Sequence, residues 1–215
     1  MEIVLNNTPT ARGELLLPLV GLWRADVVLA AAGDSGKVTP GQAVELAFPS
    51  TIFKGTAVQA GPERGLLRAV VLPGKGKLSQ PVRPKVYQEM NALGILRDTL
   101  SEVGEELDGS SRLDYSPPQW VRMGGPAYGA VAALVRAAKG AWRCTPEGKV
   151  WAGEETWPEY APQTLVLEER VAEVVLELDE GLKPGVVLKG YGRVVEVRHV
   201  WGPSVARTEV RYDPA

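Results

Sequence analysis

The hydrophobic residues in the first part of the chain fall in short runs separated by turn-forming residues. Four runs are rich in β-branched and aliphatic side chains: Val27–Ala30, Ala43–Phe48, Ile52–Val58 and Gly65–Leu72. The residues between them include Gly, Pro, Asp and Ser, which supply the dihedral angles of turns. This spacing predicts about six short strands over residues 1–83, arranged as a small β-barrel or sandwich.

After Gln80–Pro84, where two prolines break the strand pattern, the hydrophobic period changes from two to 3.6. Asn91–Gly104 is predicted to be a helix that has Asn91 as its N-cap and ends at Gly104. Its apolar face consists of Leu93, Leu96, Leu100 and Val103. We therefore expect a domain boundary between residues 83 and 84.

The middle of the chain also contains a predicted loop, a second helix and a β-hairpin. Gly109–Gly125 has the composition of a loop. Pro126 suits the first turn of a helix that ends at Gly140. The hairpin is predicted from Ala141–Cys144 and Lys149–Ala152, because a Pro- and Gly-containing turn separates these two runs.

The last part of the chain returns to the strand pattern. The predicted strands are Leu165–Leu167, Val171–Leu178, Val186–Leu188, Gly190–Val200 and Val205–Tyr212. The fold class is therefore expected to be α+β and dominated by β structure. We expect two small β-barrel or sandwich domains, residues 1–83 and 162–215, with a helix pair and a β-hairpin inserted between them in residues 84–161.

The composition is that of a folded, soluble protein without a strong electrostatic partner. The 215 residues are 45% hydrophobic and 23% charged, which allows a core to form. The net charge of −2 does not indicate a general attraction to nucleic acid or anionic lipid. The sequence starts without the pattern of a secretory signal, and no uncharged stretch is long enough to cross a membrane. We expect a soluble chain that starts in a cytoplasm and does not insert into a membrane.

Few residues of the types needed for catalysis or metal binding are present. Cys144 is the only cysteine and His199 the only histidine, which rules out an intramolecular disulfide and leaves too few groups for a Cys–His dyad or a zinc site. Gly33–Gly36 contains the Gly-Asp-Ser-Gly string of trypsin-like proteases, but its position between two strand-like runs favours a turn. The sequence predicts no catalytic residue, no cofactor and no metal site.

Paired acids and a lysine-rich loop are weaker candidates for chemistry. The pairs are Glu105–Glu106, Glu154–Glu155, Glu168–Glu169 and Asp179–Glu180. A glycosidase needs two carboxylates across a cleft, whereas these pairs lie mostly in predicted turns or at helix ends and are expected to be solvated. Gly74–Lys77 contains two lysines without the spacing of a phosphate loop, and an exposed strand connection is expected there.

Tryptophan is unusually frequent. Trp120, Trp142, Trp151 and Trp157 occur close together, with Trp23 and Trp201 near the two ends of the chain. Such side chains can stack on sugars or nucleotides, or fill the core of a segment that has little other bulk. Core packing is the favoured interpretation.

Segments along nearly the whole chain carry a resemblance to one protein family. They are Gly21–Val27, Phe53–Val58, Ile95–Gly104, Trp142–Pro158, Leu182–Gly185 and Gly192–His199. In these segments and in their order, the chain resembles the tail hub, or baseplate hub, proteins of tailed bacteriophages and related contractile injection particles.

The resemblance implies a structural role in a virion tail. It implies two barrels of tail-tube type joined by a smaller insertion, and a homo-trimeric ring whose six barrels match a six-fold tube. The implied partners are the tail tube protein, the distal tail protein, a spike or tip protein and the tape-measure protein. DNA would pass through the ring without specific binding, in a virion tail tip or baseplate assembled in the host cytoplasm.

Two other functions remain open from the sequence. One is a different tail-tip protein, such as a distal tail protein or tube initiator, which would form a hexamer. The other is a glycan-binding or glycan-processing protein that uses the region Trp120–Trp157 and nearby acids. The resemblance favours the hub, and we expect no enzymatic activity.

Overall fold

The first β unit of the chain is a closed barrel in the computed structural model, which describes residues 2–30 and 38–214. Its strands are β1 (Val4–Leu5), β2 (Thr8–Pro18), β3 (Arg24–Leu29), β4 (Ala43–Ala47), β5 (Ile52–Glu63) and β6 (Leu66–Pro73). They pair in the order β1-β4-β5-β6-β3-β2, and β2 returns to pair with β1. The predicted small barrel is confirmed, and we call it the first barrel.

The predicted runs Ile52–Val58 and Gly65–Leu72 leave residues 59–64 for the turn between them, but the hairpin between β5 and β6 turns later. Gly61 and Pro62 have the composition of a turn, yet both lie inside β5, which continues to Glu63. The turn is made by Arg64 and Gly65, with φ of 51° and 82°. Two positive φ values match the right-handed twist of the strands, and a proline is tolerated in a strand where one edge is unpaired.

Strand β2 is the largest element that the sequence pattern missed. Its 11 residues, TPTARGELLLP, do not alternate cleanly between apolar and polar. The burial alternates only at its end, where Leu15 and Leu17 are buried and Leu16 is not. Pairing with neighbours on both sides therefore fixes this strand more than its own pattern does.

The middle of the chain, which we call the insertion, contains both helices and several short strands. In chain order it consists of β7 (Pro81–Val82), β8 (Lys85–Gln88), α1 (Ala92–Glu102), β9 (Gln119–Arg122), β10 (Gly125–Pro126), α2 (Ala127–Ala137), β11 (Ala141–Cys144) and β12 (Val150–Gly153). The predicted N-cap of α1 is confirmed, because the Asn91 side chain accepts a hydrogen bond from the Gly94 amide at 2.8 Å. The second helix and the β11–β12 hairpin are confirmed as well.

The expectation that Gly109–Gly125 is a loop is wrong for its last part. Strand β9 lies there and pairs with β8, so that Trp120 is opposite Tyr87. Only two adjacent apolar residues, Trp120 and Val121, occur in β9, which is too few to show a period of two. Pairing with β8 therefore stabilises β9 as a strand, although its own sequence does not predict one.

The second β unit follows the insertion and is an open sheet. Its strands are β13 (Glu159–Tyr160), β14 (Val166–Arg170), β15 (Glu173–Glu177), β16 (Val187–Leu188), β17 (Gly192–Gly202) and β18 (Val205–Pro214). They pair in the order β13-β16-β17-β18-β15-β14, with only the β13–β16 pair parallel. The β-dominated fold class with two β units around an insertion is thus confirmed, while the domain boundaries at 83/84 and 161/162 stay a prediction.

One continuous hydrophobic core serves all three parts of the chain. It includes Leu46 of the first barrel, Leu96 and Val131 of the two helices, and Leu188 and Val210 of the second β unit, all at most 1% exposed. Because burial of apolar surface is the main favourable contribution to folding, the insertion and both β units stabilise one another.

Candidate assembly site

Strand β2 belongs to both β units and joins them into one sheet. Its first residues pair with β1, whereas Gly13–Pro18 pairs with Glu196–Trp201 of β17. The Trp201 ring lies against Gly13, where an added Cβ would come within 2.4 Å of the ring. The Trp201 indole nitrogen also donates to the Thr10 hydroxyl at 2.8 Å. Eight consecutive strands, β5-β6-β3-β2-β17-β18-β15-β14, therefore run without interruption across the two units.

The side of this sheet that faces away from the core is covered by ion pairs, most of which join two strands; we call it the outer sheet face. The pairs are Arg12–Glu63, Arg24–Asp26, Arg68–Asp26, Arg68–Glu63, Arg198–Glu14, Arg198–Glu209, Arg207–Glu209 and Arg211–Glu196. The cation in each of them is an arginine. Exposed pairs of this kind contribute little to stability, but here they leave a polar surface on which each of these charges has a neighbour of opposite sign.

A buried carboxylate holds the lysine-rich loop against the insertion. Glu105 is only 6% exposed, and its two carboxylate oxygens accept hydrogen bonds from the amides of Lys75 and Lys77 at 3.1 and 2.8 Å. The expectation that the acid pairs are solvated is therefore wrong for Glu105. The Lys75 and Lys77 side chains are exposed, as expected for a strand connection.

Replacing Glu105 with glutamine is expected to lower the free energy of unfolding by about 1–3 kcal/mol, because the amide NH₂ would face a backbone N–H and leave it unsatisfied. The neighbouring Glu106 is the matched control, since its side chain is 63% exposed and pairs with the exposed Lys149. Glu106→Gln is expected to change stability by less than about 1 kcal/mol. Urea unfolding of both variants measures the difference. Equal midpoints would show that the hydrogen bonds from Lys75 and Lys77 to Glu105 do not stabilise the fold.

An arginine that the sequence analysis did not single out fixes the β8–β9 pair on α1. Arg122 is 2% exposed, and its guanidinium donates to the Arg83 carbonyl at 2.8 and 3.0 Å and to the Thr99 hydroxyl at 3.1 Å. It also forms an ion pair with Glu102, whose pKa is lowered first by the Arg83 amide and then by Arg122. A buried arginine needs such a full set of partners, so its role is structural.

The tryptophans do not form one platform. Trp23, Trp142 and Trp201 are buried, which confirms core packing for these three. The others are half-buried, and each has its own neighbour: Trp120 packs edge-on against Tyr115, Trp151 lies under the Arg143 guanidinium and Trp157 lies under Arg193. Core packing is therefore wrong for Trp151 and Trp157, because an arginine lies over each ring. Trp120 is packed against the core.

The single histidine and the single cysteine are both buried, and burial shifts their pKa values away from those of reactive groups. His199 is 1% exposed, and burial lowers its pKa from 6.5 to about 4 despite the opposing effect of Asp179. Burial also raises the pKa of the Cys144 thiol, with a smaller contribution from Glu105. A thiol kept in its protonated form is a poor nucleophile.

The remaining acid pairs are divided between solvent and structural contacts. Glu154, Glu168 and Glu169 are exposed, as expected, and Glu155 pairs with Arg143. Asp179 is instead 6% exposed, and its carboxylate accepts a hydrogen bond from the Tyr160 hydroxyl at 2.6 Å. The expectation of a solvated acid is therefore wrong for Asp179 as well.

The Gly-Asp-Ser-Gly string, a metal site and a membrane-crossing helix are the sequence features that remain. The Gly33–Gly36 string lies outside residues 2–30 and 38–214, so its assignment to a turn stays a prediction. Inside these ranges, no three His, Cys, Asp or Glu side chains are grouped in a way that could hold a metal ion. Neither helix found there has the length and apolar character to cross a membrane.

The fold is that of phage tail proteins. No protein-family model and no curated protein sequence matches the chain. A 43 kDa tail protein of prophage MuSo2 from Shewanella oneidensis superimposes with a TM-score of 0.77 at 7% identity, covering 100% of this chain and 98% of the other. A tail protein from Neisseria meningitidis gives 0.69 at 10% identity, with 98% and 95% covered.

A third solved structure extends the similarity to secretion systems. The E. coli c3393 protein is described as a component of the type VI secretion system that is structurally similar to the T4 bacteriophage tail proteins gp27 and gp5. It superimposes with a TM-score of 0.67 at 11% identity, covering 100% of this chain and 77% of the other. The resemblance to tail hub proteins that the sequence indicates is thus confirmed at the level of the fold.

Proposed function

We propose that the protein is a structural component of a virion tail: a tail or baseplate hub that joins the tail tube to the spike or tip as a homo-trimeric ring. The observation that carries the proposal is the β2–β17 joint, which places two β units side by side in one sheet. Three chains with two units each would present six positions to a six-fold tube, and closed rotational symmetry is the usual way to assemble such a ring.

The dimensions of the sheet support a central channel. Three copies of an eight-stranded sheet would supply 24 strands around the ring. With a strand spacing of about 4.8 Å, the circumference is about 115 Å and the diameter about 37 Å, before strand tilt widens it. We propose that this channel takes duplex DNA or the tape-measure protein.

We place the outer sheet face on the channel side of the ring. Its arginines are paired with carboxylates, as in Arg198–Glu14 and Arg211–Glu196. Unpaired arginines would hold the phosphate backbone through counterion release, whereas paired ones leave DNA free to pass. The protein is then a non-enzymatic part of the tail tip, assembled in the host cytoplasm, with the tail tube, distal tail, spike or tip, and tape-measure proteins as its partners.

The expected result of a reconstruction of the tail tip without imposed symmetry is a ring with three copies of this chain. Each copy is expected to fill two neighbouring positions under the six-fold tube, one with the first barrel and one with the second β unit. Six copies in one ring would contradict the hub assignment and favour the distal tail protein or tube initiator. The glycan-binding alternative has less support, because Trp120, Trp151 and Trp157 each pack against their own neighbour.

A further inference from the structure

A pocket lies where the first barrel, the insertion and the second β unit meet; we call it the junction pocket. Its volume is about 340 Å³, and its wall is formed by the end of β2, the start of β5, the β11–β12 hairpin and the loop between β15 and β16. The apolar residues of this wall include Leu17, Trp23, Phe53, Pro146, Trp151 and Pro184. Ligand pockets in proteins typically have such a mainly apolar wall and volumes of about 300–1,000 Å³. The junction pocket therefore has the size and the lining of a site for a small apolar group.

Hydrogen bonds between different parts of the chain hold the wall of the junction pocket in place. The Trp23 indole nitrogen donates to the Thr145 carbonyl at 3.0 Å, which ties the first barrel to the β11–β12 hairpin. The Ser50 amide donates to the Glu180 carboxylate at 2.9 Å, which ties the first barrel to the loop between β15 and β16. A wall fixed on both sides cannot close over an empty pocket, so its apolar side chains gain contacts when a ligand enters. Little free energy is then spent on shaping the site.

The charged groups of the wall already have partners or are hydrated. The Arg143 guanidinium forms an ion pair with Glu155 and lies over the Trp151 ring, 4.3 Å from its centroid. Glu180 makes the hydrogen bond just described, and Lys183 is exposed, so that solvent hydrates its ammonium group. A charged ligand would lose its own hydration without gaining a free counter-ion, which is costly. The junction pocket therefore favours an uncharged ligand.

The aromatic side chains of the wall favour a planar aromatic ligand. Trp23 and Phe53 pack edge-on against each other with ring centroids 5.5 Å apart, and the ring of Trp151 is half-buried. Edge-on and offset packing between rings stabilises a contact beyond the area that it buries, which an aliphatic ligand does not gain. An apolar cavity of about 150 Å³ takes one benzene ring. The volume of about 340 Å³ is therefore sufficient for two fused rings.

We propose that the junction pocket binds one uncharged aromatic group of two fused rings, with the size and shape of indole. The site is separate from the outer sheet face, because Leu17 in its wall and Glu14 on that face point to opposite sides of β2. A bound ring therefore stays out of the proposed channel. A free indole-like molecule and a tryptophan side chain of another protein present the same ring to the pocket.

Titration of the purified full-length chain with indole, followed by ligand-detected saturation-transfer NMR, tests the proposal. The test variant is Trp151→Ala, which removes one aromatic part of the wall. The matched control is Trp157→Ala, because Trp157 is also half-buried and also lies under an arginine, Arg193, but is not part of the wall. Circular dichroism confirms that both variants are folded. Indole-3-acetate, which adds a negative charge to the same ring system, tests the preference for an uncharged ligand.

Indole is expected to bind the natural protein with a Kd below about 1 mM. Trp151→Ala is expected to weaken binding at least about tenfold, and Trp157→Ala to leave it within about twofold, because only Trp151 contacts the ligand. No binding in this concentration range, an equal loss in both variants, or tighter binding of indole-3-acetate than of indole overturns the proposal.

A blocked Gly-Trp-Gly peptide, added in competition with indole, distinguishes the two sources of the ring. Competition by the peptide assigns the pocket to a tryptophan side chain of another protein. Indole binding without competition assigns it to a free small molecule, and either result supports the aromatic site.

Discussion

Replacing Trp23 with alanine is expected to lower the free energy of unfolding by about 3–5 kcal/mol, the range for removing a large buried aromatic side chain. Trp23 is 2% exposed and packs edge-on against Phe53, with ring centroids 5.5 Å apart. Its indole nitrogen donates to the Thr145 carbonyl at 3.0 Å, which ties the first barrel to the β11–β12 hairpin. The substitution therefore leaves a cavity and removes a link between two parts of the fold.

Trp151→Ala is the control for this prediction, because its ring is half-buried and its main neighbour is the Arg143 guanidinium at 4.3 Å from the ring. Losing such a stacking contact is expected to cost about 0.5–2 kcal/mol. Thermal and urea unfolding of both variants, followed by circular dichroism, gives the comparison. A larger loss for Trp151→Ala than for Trp23→Ala would show that the hairpin ring, and not the barrel ring, holds these parts together.

Acidification from pH 6.5 to 4 is expected to cost the folded state about 3 kcal/mol through His199 alone. Burial lowers the pKa of His199 in the folded chain from 6.5 to about 4, so in this pH range the unfolded chain binds a proton that the folded chain does not. The contribution of His199 to stability is therefore fully present above pH 6.5 and is lost as the pH falls to about 4. The cause is visible in the structure: Nδ1 lies 3.0 Å from the Thr208 hydroxyl, while Nε2 is buried with no hydrogen-bond partner among the described residues.

The variant His199→Gln isolates this effect, because glutamine stays neutral over the whole range and still offers a polar group to Thr208. Its unfolding free energy is expected to change by about 3 kcal/mol less than that of the natural protein between pH 6.5 and 4. Asp98 and Glu102, whose pKa values are lowered in the folded chain, are common to both proteins and cancel in the comparison. Parallel stability curves for the two proteins would rule out His199 as the cause.

The elements that the sequence predicted correctly are those whose pattern is local. The helix α1 has an N-cap, a 3.6-residue period and a terminal glycine within its own residues, and the β11–β12 hairpin has its turn between two short apolar runs. The strands that the sequence pattern missed are formed by pairing with strands elsewhere in the chain. Strand β2 follows from partners on both sides, and β9 follows from the partner strand β8 and the buried Arg122.

The candidate assembly surfaces were even less accessible to sequence reasoning. The ion pairs of the outer sheet face join residues as distant along the chain as Glu14 and Arg198, and only the sheet order brings them together. Glu105 appeared to belong to an ordinary acid pair, and its burial depends on the amides of a loop about 30 residues earlier. Resemblance to a family could indicate the fold, but the register of the strands had to come from the structure.

The shared strand β2 also has a consequence for synthesis on the ribosome. Residues Gly13–Pro18 leave the ribosome well before their partners Glu196–Trp201. At about 5–20 residues per second, roughly 10–40 seconds separate the two segments. During that time Leu15 and Leu17, which are buried in the finished protein, lack the cover of β17. During that interval this strand of the nascent chain is exposed to aggregation or to capture by a chaperone, and synthesis and pairing of β17 end the interval.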